Sequence, residues 1–116
     1  YDLTDRLSEQ AYQCVVVAIL RYIGVDLSAE VTTSRGRIDM VCFAPGNVVI
    51  VEMKVASGQE AGERAADEAV RQIRERGYAE RFACDQRRVQ LLGISFDCER
   101  HNIAAWRCEE LDAAGA

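Results

Sequence analysis

The stretch Arg35–Lys54, which reads RGRIDMVCFAPGNVVIVEMK, decides the fold of this chain. Two apolar runs rich in β-branched residues flank a Pro-Gly-Asn turn signal, and this pattern predicts two antiparallel strands joined by a hairpin. If the turn is centred between Pro45 and Gly46, Ala44 pairs with Asn47 and the register of the whole hairpin follows. A four-residue loop would leave the same pairing.

Alternation along these strands brings charged side chains together. Arg37 and Asp39 share a face with Val41 in the first strand, and Glu52 and Lys54 share a face in the second. Continued up the ladder, the register sets Asp39 opposite Glu52 and Arg37 opposite Lys54. Opposed residues have Cβ atoms about 5 Å apart, so two carboxylates there repel unless a cation lies between them. The hairpin therefore predicts a Mg²⁺ or Mn²⁺ site beside a lysine.

Length and composition indicate one ordinary globular domain. The chain has 116 residues, of which 49% are hydrophobic and 28% charged. No apolar run is long enough to predict a membrane-spanning helix, and we expect no signal peptide. The five cysteines are scattered without a Cys-x-x-Cys pair, which argues against a zinc site and a disulfide framework. We expect a cytoplasmic location. Because the chain opens at Tyr1 in polar sequence, we also expect a fragment of a longer protein.

The acidic net charge limits the function classes. A formal charge of −5 argues against tight, autonomous nucleic-acid binding, which is usually accompanied by a basic balance. It argues less strongly against nuclease chemistry, because the carboxylates of a metal site contribute to the count. A companion domain would supply the missing affinity.

Lys54 is the only lysine, since thirteen of the fourteen basic residues are arginine. An ammonium has a tunable pKa whereas a guanidinium stays protonated, so the two are not interchangeable at a catalytic position. The position of the single lysine beside the predicted carboxylate pair supports a catalytic role. Chance placement in an arginine-rich chain is the alternative.

Two helices are predicted, one on each side of the hairpin in sequence. The first spans Ser8–Ile23, with Ser8 as N-cap and Gly24 at its C-terminal end. It carries two adjacent apolar stripes, and we expect it to pack on the sheet. The second spans Ala61–Arg76 and ends at Gly77. Its apolar side consists mainly of alanines, which permit close packing on a sheet.

Three further strands complete the pattern: Asp26–Ser34, Arg88–Phe96 and an edge strand at Ile103–Arg107. The second of these is almost continuously apolar, as expected for a strand covered on both faces. A helix connects it to the Glu52 strand, which predicts a parallel pair. The order is therefore helix, three strands, helix, two strands, an α/β class with a mixed sheet flanked by helices.

Asp39, followed after twelve residues by Glu52-Met53-Lys54, resembles the D…E-x-K signature of the PD-(D/E)xK nuclease superfamily, with Ile38 in place of the proline. More narrowly, the segments Arg35–Asp39, Val51–Lys54 and Ala69–Ala79 resemble a nuclease domain found C-terminal to AAA-ATPase-like domains in prokaryotic proteins. This resemblance implies a restriction-endonuclease-like core, αβββαβ with an extra edge strand. It also implies an N-terminal ATPase-like domain in the full-length protein.

The resemblance assigns roles to residues outside the carboxylate pair. An acidic residue on the first helix often reaches the metal in such nucleases, which makes Glu9 a candidate ligand; the alternative is a carboxylate that favours the first turn of a helix. The Met53 carbonyl is expected to be another ligand. Gln72 resembles a glutamine that steadies the site or contacts substrate, and Tyr78 resembles a tyrosine that contacts phosphate. The alternatives are a surface glutamine and a half-buried loop tyrosine.

Several charged residues keep two interpretations. Arg35 and Arg37 are positioned to contact a phosphate backbone, or to balance Asp39 and Glu52. Glu30 is either a further acidic ligand or a solvated strand residue. A net-basic segment from residue 71 to 88 either tracks phosphates or forms a mixed-charge surface. His101, in a polar turn, is expected to be a surface residue.

The pattern as a whole predicts a metal-dependent nuclease acting on nucleic acid, with DNA expected. Asp39, Glu52, Lys54 and Gln72 form the expected catalytic set. The alternative is a catalytically weak regulatory or binding module that serves an attached ATPase or a protein partner. A calcium-binding domain is not supported, because no Asp-rich loop ends in glutamate. A homodimer is compatible with either interpretation.

Overall fold

The structure is a computed structural model and describes residues 3–33, 35–77, 80, 82, 84 and 86–111. Its elements are, in chain order, α1 (Leu3–Tyr22), β1 (Asp26–Thr33), β2 (Gly36–Ala44), β3 (Asn47–Ala56), α2 (Gln59–Glu75), β4 (Arg88–Asp97) and β5 (Asn102–Leu111). The five strands form one sheet in sequence order, with β3 and β4 parallel and the other neighbours antiparallel. The predicted order of elements and the mixed sheet are confirmed. In the described part of the chain, neither helix is long and apolar enough to cross a membrane.

The β2–β3 hairpin has the predicted register. Ala44 pairs with Asn47 across a turn made of Pro45 and Gly46, and the ladder continues to the pair Met40–Val51. The apolar alternation on the two strands is therefore satisfied on both faces of the sheet up to that point.

Beyond that pair the two strands separate, so the predicted pairing of Arg37 with Lys54 is wrong. The alternation of β2 also changes there, since Ile38 packs into the same buried cluster as Val41. Glu30, which lies across from this segment on β1, has φ 52°, in the left-handed region that residues other than glycine rarely adopt. We attribute the changed alternation to the local twist that such a residue introduces.

Helix α1 begins at Leu3, so the predicted start at Ser8 and its N-cap role are wrong. Residues 3–8 contain neither glycine nor proline, and nothing in that segment therefore stops the helix from starting earlier. The helix ends at Tyr22, one residue before the predicted Ile23, and Gly24 adopts a φ of 94° two residues later, as expected for a glycine at a helix C-terminus.

Helix α1 covers one face of the sheet with only one of its two apolar stripes. The stripe with Tyr12 and Val16 packs against the sheet, and the Tyr12 ring stacks on Phe96 with centroids 4.6 Å apart. The buried cluster on this side consists of Val17, Met40, Val51, Met53 and Phe96. The other stripe faces solvent, with Val15 57% and Ile19 55% exposed.

Helix α2 packs on the opposite face through small residues. A Cβ atom on Gly93 of β4 would lie 2.4 Å from the carbonyl oxygen of Ala66 and 2.9 Å from the Cβ of Ala69. The helix therefore approaches β4 at a distance that only glycine allows. The buried cluster between α2 and the sheet consists of Ile38, Val41, Val48, Ile50, Val70, Ile73, Val89 and Leu91.

Strand β5 continues past its predicted end at Arg107 to Leu111. Two glutamates follow Cys108 in this extension, and Glu109 forms an ion pair with Arg74 of α2, with Nη2 and Oε1 2.8 Å apart. A partner on a neighbouring element makes such a residue acceptable in an edge strand. Helix α2 begins at Gln59, slightly before its predicted start.

Candidate active site

The gap between the diverging strands β2 and β3 opens into a pocket of about 340 Å³. Residues of α1 border it on one side, and Arg76, directly after α2, borders it on another. Among the residues with a predicted site role, those that line the pocket are Glu9, Glu30, Arg37, Asp39, Glu52, Met53 and Lys54. The structure therefore brings most of the predicted site residues together at one place.

Beyond the last backbone pair of the hairpin, the side chains of Asp39 and Glu52 each accept a hydrogen bond from the backbone of the opposite strand. The backbone N–H of Asp39 donates to Oε1 of Glu52 over 3.2 Å, and the backbone N–H of Met53 donates to Oδ2 of Asp39 over 2.7 Å. Each carboxylate thus accepts a hydrogen bond that a strand carbonyl would otherwise accept.

This arrangement makes both acids harder to ionise. Burial, together with the neighbouring charge of Asp39, raises the pKa of Glu52 to about 7, although the Arg76 guanidinium acts in the opposite direction. Burial also raises the pKa of Asp39, against the lowering effect of the Met53 N–H. The Glu52 side chain is only 5% exposed, so solvent does little to stabilise its charge. A carboxylate pair with these properties favours a nearby cation.

Lys54 supplies one positive charge at the pocket. It is half-buried and follows Glu52 by two residues on β3. Its charge acts to lower the pKa of Asp39 and that of Glu52, but less strongly than burial raises both. Lys54 is therefore placed to act on groups bound at the two carboxylates.

The donor set fits a hard divalent cation. Within the described ranges, no three His, Cys, Asp or Glu side chains converge into a ready-made metal cage. Mg²⁺ does not require one, because it usually takes one or two carboxylates and fills its other positions with water and substrate phosphate. The N–H and C=O of one strand residue point to the same edge, so the Met53 carbonyl faces the gap towards which its N–H points. Glu9 lines the same pocket.

The predicted phosphate-binding residues separate into three cases. Arg37 lines the pocket, and its Nη1 lies 4.0 Å from Oε2 of Glu30. Arg35 does not line it, because its Nη1 donates to the carbonyl oxygen of Glu75 over 3.1 Å at the end of α2. The position of Arg35 thus argues for a helix-capping role rather than for phosphate contact. Tyr78 lies outside the described residues.

Two glutamines, Gln72 and Gln13, differ in their relation to the pocket. Gln72 lies on α2 and does not line the pocket, but its Oε1 is buried and has no hydrogen-bond partner among the described residues. Gln13 of α1, to which no role was assigned from the sequence, lines the pocket and donates from Nε2 to the carbonyl oxygen of Asp39 over 3.4 Å. His101 is exposed in the turn before β5 and does not line the pocket.

Arg76 is the functional candidate that sequence reasoning missed. Its Nη1 donates to Oε2 of Glu52 over 2.6 Å and also to the carbonyl oxygen of Arg37. The side chain reaches Glu52 by passing over Gly36, where a Cβ atom would lie 3.2 Å from Nε of Arg76. Gly36, with φ 131°, is therefore needed both for its backbone conformation and for the space above it. The signal in the sequence is Gly36 itself, since a glycine within a strand indicates that another group approaches the backbone closely.

A mixed sheet whose strands separate around a carboxylate pair and a lysine defines a restriction-endonuclease-like α/β domain. The sequence model of the PD-(D/E)XK nuclease superfamily matches residues 7–106, and the chain belongs to that superfamily. A similar protein, "Uncharacterized protein in vnfD 5′ region" from Azotobacter chroococcum mcd 1, is 30% identical over 103 residues. That similarity covers 89% of this chain and 19% of the relative, so the chain spans about a fifth of the relative's length. No solved structure matches the chain.

Proposed function

We propose that this domain is a Mg²⁺- or Mn²⁺-dependent nuclease that hydrolyses phosphodiester bonds in nucleic acid, with DNA as the expected substrate. The observation that carries the proposal is that Asp39 and Glu52, each bonded to the backbone of the opposite strand, line the same pocket as Lys54. Membership of the PD-(D/E)XK superfamily supports nuclease chemistry in general.

Asp39 and Glu52 would hold the cation, with the Met53 carbonyl and Glu9 as further ligands. A divalent ion bound there supplies Lewis-acid polarisation of a phosphoryl oxygen and a lowered pKa for a bound water. Lys54 would position the attacking water or help to remove its proton, or would stabilise the charge that grows at phosphorus. Arg37, exposed at the rim of the pocket, would contact a neighbouring phosphate.

Gln72 is proposed to steady the site rather than to touch the reacting atoms. Its buried Oε1, which has no hydrogen-bond partner among the described residues, supports this role, since such an atom can accept a hydrogen bond from a water that links it to the site.

The wider context is also a proposal. Because the relative is much longer than this chain, we propose that residues 1–116 form a single nuclease domain within a longer protein. An N-terminal ATPase-like region would supply the nucleic-acid affinity that an acidic domain lacks. Cytoplasmic location and homodimer formation remain predictions.

The second candidate function is a regulatory or binding module with the same fold and weak or lost activity. Two observations favour it: the net charge of −5, and the ion pair between Arg76 and Glu52, which occupies one of the proposed metal ligands. Metal binding separates the two functions, because a folded module needs no divalent ion.

A cleavage assay tests the proposal. Supercoiled, linear and branched DNA are incubated with Mg²⁺ or Mn²⁺ and with wild type, Lys54→Ala or Lys54→Arg. Loss of general acid–base help is expected to slow cleavage by about 10²–10⁴-fold in both variants, because a guanidinium does not replace the ammonium. Arg64→Ala is the matched control, since it removes one positive charge whose side chain is 71% exposed on α2.

Divalent binding, measured by calorimetry on wild type and Asp39→Asn, completes the test. Binding in wild type that is lost in Asp39→Asn, together with metal-dependent cleavage, supports the enzyme. A wild-type protein that is folded, binds neither Mg²⁺ nor Mn²⁺ and cleaves none of the three substrates is the module instead.

A further inference from the structure

We propose that Arg76 is an exchangeable counter-ion: it pairs with Glu52 while the carboxylates hold no metal, and it binds a substrate phosphate once a divalent cation has taken its place. This inference rests on the proposed nuclease function and adds a residue and an order of binding to it. Metal would bind before nucleic acid, and each would strengthen the binding of the other.

The first step of the argument is the competition for Glu52. The Arg76 Nη1 lies 2.6 Å from Oε2 of Glu52, a distance typical of a charge-assisted hydrogen bond. The second oxygen, Oε1, accepts the N–H of Asp39. A cation that coordinates Glu52 through Oε2 therefore competes with the guanidinium, because it either takes the same lone pair or places a second positive charge directly beside Arg76.

The second step is that Arg76 can leave without dismantling the fold. Its side chain is 26% exposed and lines the pocket, whereas the Glu52 side chain is 5% exposed. The backbone of Arg76 is held separately, because its N–H donates to the carbonyl oxygen of Gln72 over 3.0 Å. Gly36 leaves the path of the side chain free of a Cβ atom. The guanidinium can move while its backbone remains at the end of α2.

The third step concerns the group that Arg76 binds after it has left Glu52. Once a divalent ion neutralises the carboxylate pair, Arg76 has lost an anionic partner and still faces the same pocket. A phosphodiester oxygen is the anion that the proposed reaction brings there, and a guanidinium binds phosphate through two parallel hydrogen bonds. Arg76 would thus be free to bind the substrate phosphate only when the metal is bound. By thermodynamic linkage, bound substrate would in turn strengthen metal binding.

Calorimetric titration with Mn²⁺ tests the competition. Arg76→Met removes the charge and keeps an apolar stem, and Arg74→Met is the matched control at the same end of α2, where Arg74 pairs with Glu109 at the surface. We expect Arg76→Met to bind Mn²⁺ about tenfold more tightly than wild type, the size of one lost charge-assisted contact. Arg74→Met is expected to stay within about twofold of wild type.

Nucleic-acid binding tests whether the displaced Arg76 binds a substrate phosphate. Fluorescence anisotropy with a labelled DNA duplex is measured with and without Mn²⁺ in a Lys54→Ala background, which limits cleavage. Mn²⁺ is expected to tighten DNA binding in Lys54→Ala and in Lys54→Ala/Arg74→Met. In Lys54→Ala/Arg76→Met the Mn²⁺-loaded affinity is expected to fall about tenfold.

Equal Mn²⁺ affinity in Arg76→Met and Arg74→Met overturns the inference while the proposed nuclease function stands. So does a DNA affinity that is the same in both double variants. If the wild-type protein binds no Mn²⁺, the proposed nuclease function itself is contradicted. If Arg76→Met does not fold, Arg76→Gln, which also removes the charge, is measured in its place: a Mn²⁺ affinity above wild type supports the exchange, and an unchanged one contradicts it.

Discussion

The backbone N–H of Met53 donates to Oδ2 of Asp39 over 2.7 Å, so a side chain of β2 bonds to the backbone of β3 where the strands have separated. Asp39 thereby acts as a structural acceptor as well as a proposed metal ligand. A shared role of this kind is testable, because the neutral amide of asparagine can accept the same hydrogen bond without providing the carboxylate charge.

Asp39→Ala and Asp39→Asn should therefore differ in stability and agree in function. Asp39→Ala leaves the half-buried Met53 N–H without an acceptor and is expected to lower the free energy of unfolding by about 1–3 kcal/mol. Asp39→Asn keeps an acceptor oxygen and should lie closer to wild type. Both should lose divalent binding. Denaturant unfolding in EDTA measures the first effect and calorimetry the second; equal destabilisation by both variants would contradict the structural role.

The free energy of unfolding of the metal-free protein should fall as pH rises from about 4.5 to about 7 because of Glu52. Its usual pKa is 4.5 and its folded pKa is about 7, so the folded state keeps a proton that the unfolded state releases in this window. The protonated Glu52 favours the folded state fully below pH 4.5, and this contribution to the free energy of unfolding is lost as the pH rises through about 7. The loss is on the order of 3 kcal/mol.

Glu52→Gln provides the comparison for this pH dependence. Its amide does not titrate, so the part of the slope that belongs to Glu52 should be absent between these two pH values. Denaturant unfolding of both proteins in EDTA, at several pH values, measures the difference. Saturating Mn²⁺ should reverse the trend in wild type only, because metal binds the ionised acid and stabilises the folded state. Identical slopes in the two proteins would refute the assignment to Glu52.

Gln72→Met should separate stability from activity. The buried Oε1 of Gln72 has no hydrogen-bond partner among the described residues, and an unsatisfied polar atom costs about 1–3 kcal/mol. Replacing the amide with an apolar group of similar length is expected to raise the free energy of unfolding by about 1 kcal/mol. Cleavage should slow if the amide steadies the site. A stabilised variant with full activity would assign Gln72 to packing alone.

Gly93→Ala should destabilise the domain, because the added methyl group would meet the Ala66 carbonyl and the Ala69 side chain at 2.4 and 2.9 Å. The helix must then move away from β4, at a cost of about 1–3 kcal/mol or more. Gly46→Ala is the matched control, since a Cβ atom in that turn meets nothing within 4 Å. Thermal unfolding compares the two. A larger effect at Gly46 would contradict the close packing of α2 on the sheet.

The hairpin was predictable because its information is local. The Pro45–Gly46 turn and the apolar alternation around it fix the register, and the predicted pair Ala44–Asn47 is confirmed. The same reasoning failed beyond Met40, where the carboxylates bond to the backbone and the ladder ends. Side-chain groups that replace backbone partners do not appear in a period-two pattern, so the separation of the strands was not predictable from it.

Arg76 was not predictable for a different reason. It occurs in a segment with many arginines, and nothing in the spacing of that segment says which of them turns towards β3. The choice depends on the distance between the end of α2 and Gly36, which is a property of the packed structure. The packing of α1 had the same limit, because two equally apolar stripes lie side by side and only one faces the sheet.

The Pro45–Gly46 turn makes the domain unequally tolerant of insertions. One extra residue there would shift the pairing of β3 by one position and turn each of its side chains to the opposite face of the sheet. Lys54 and Met53 would then exchange faces, and Glu52 would no longer lie beside Asp39. One extra residue between β4 and β5 would displace only an edge strand. Natural variation in the length of this domain should therefore concentrate in the second connection and be nearly absent from the first.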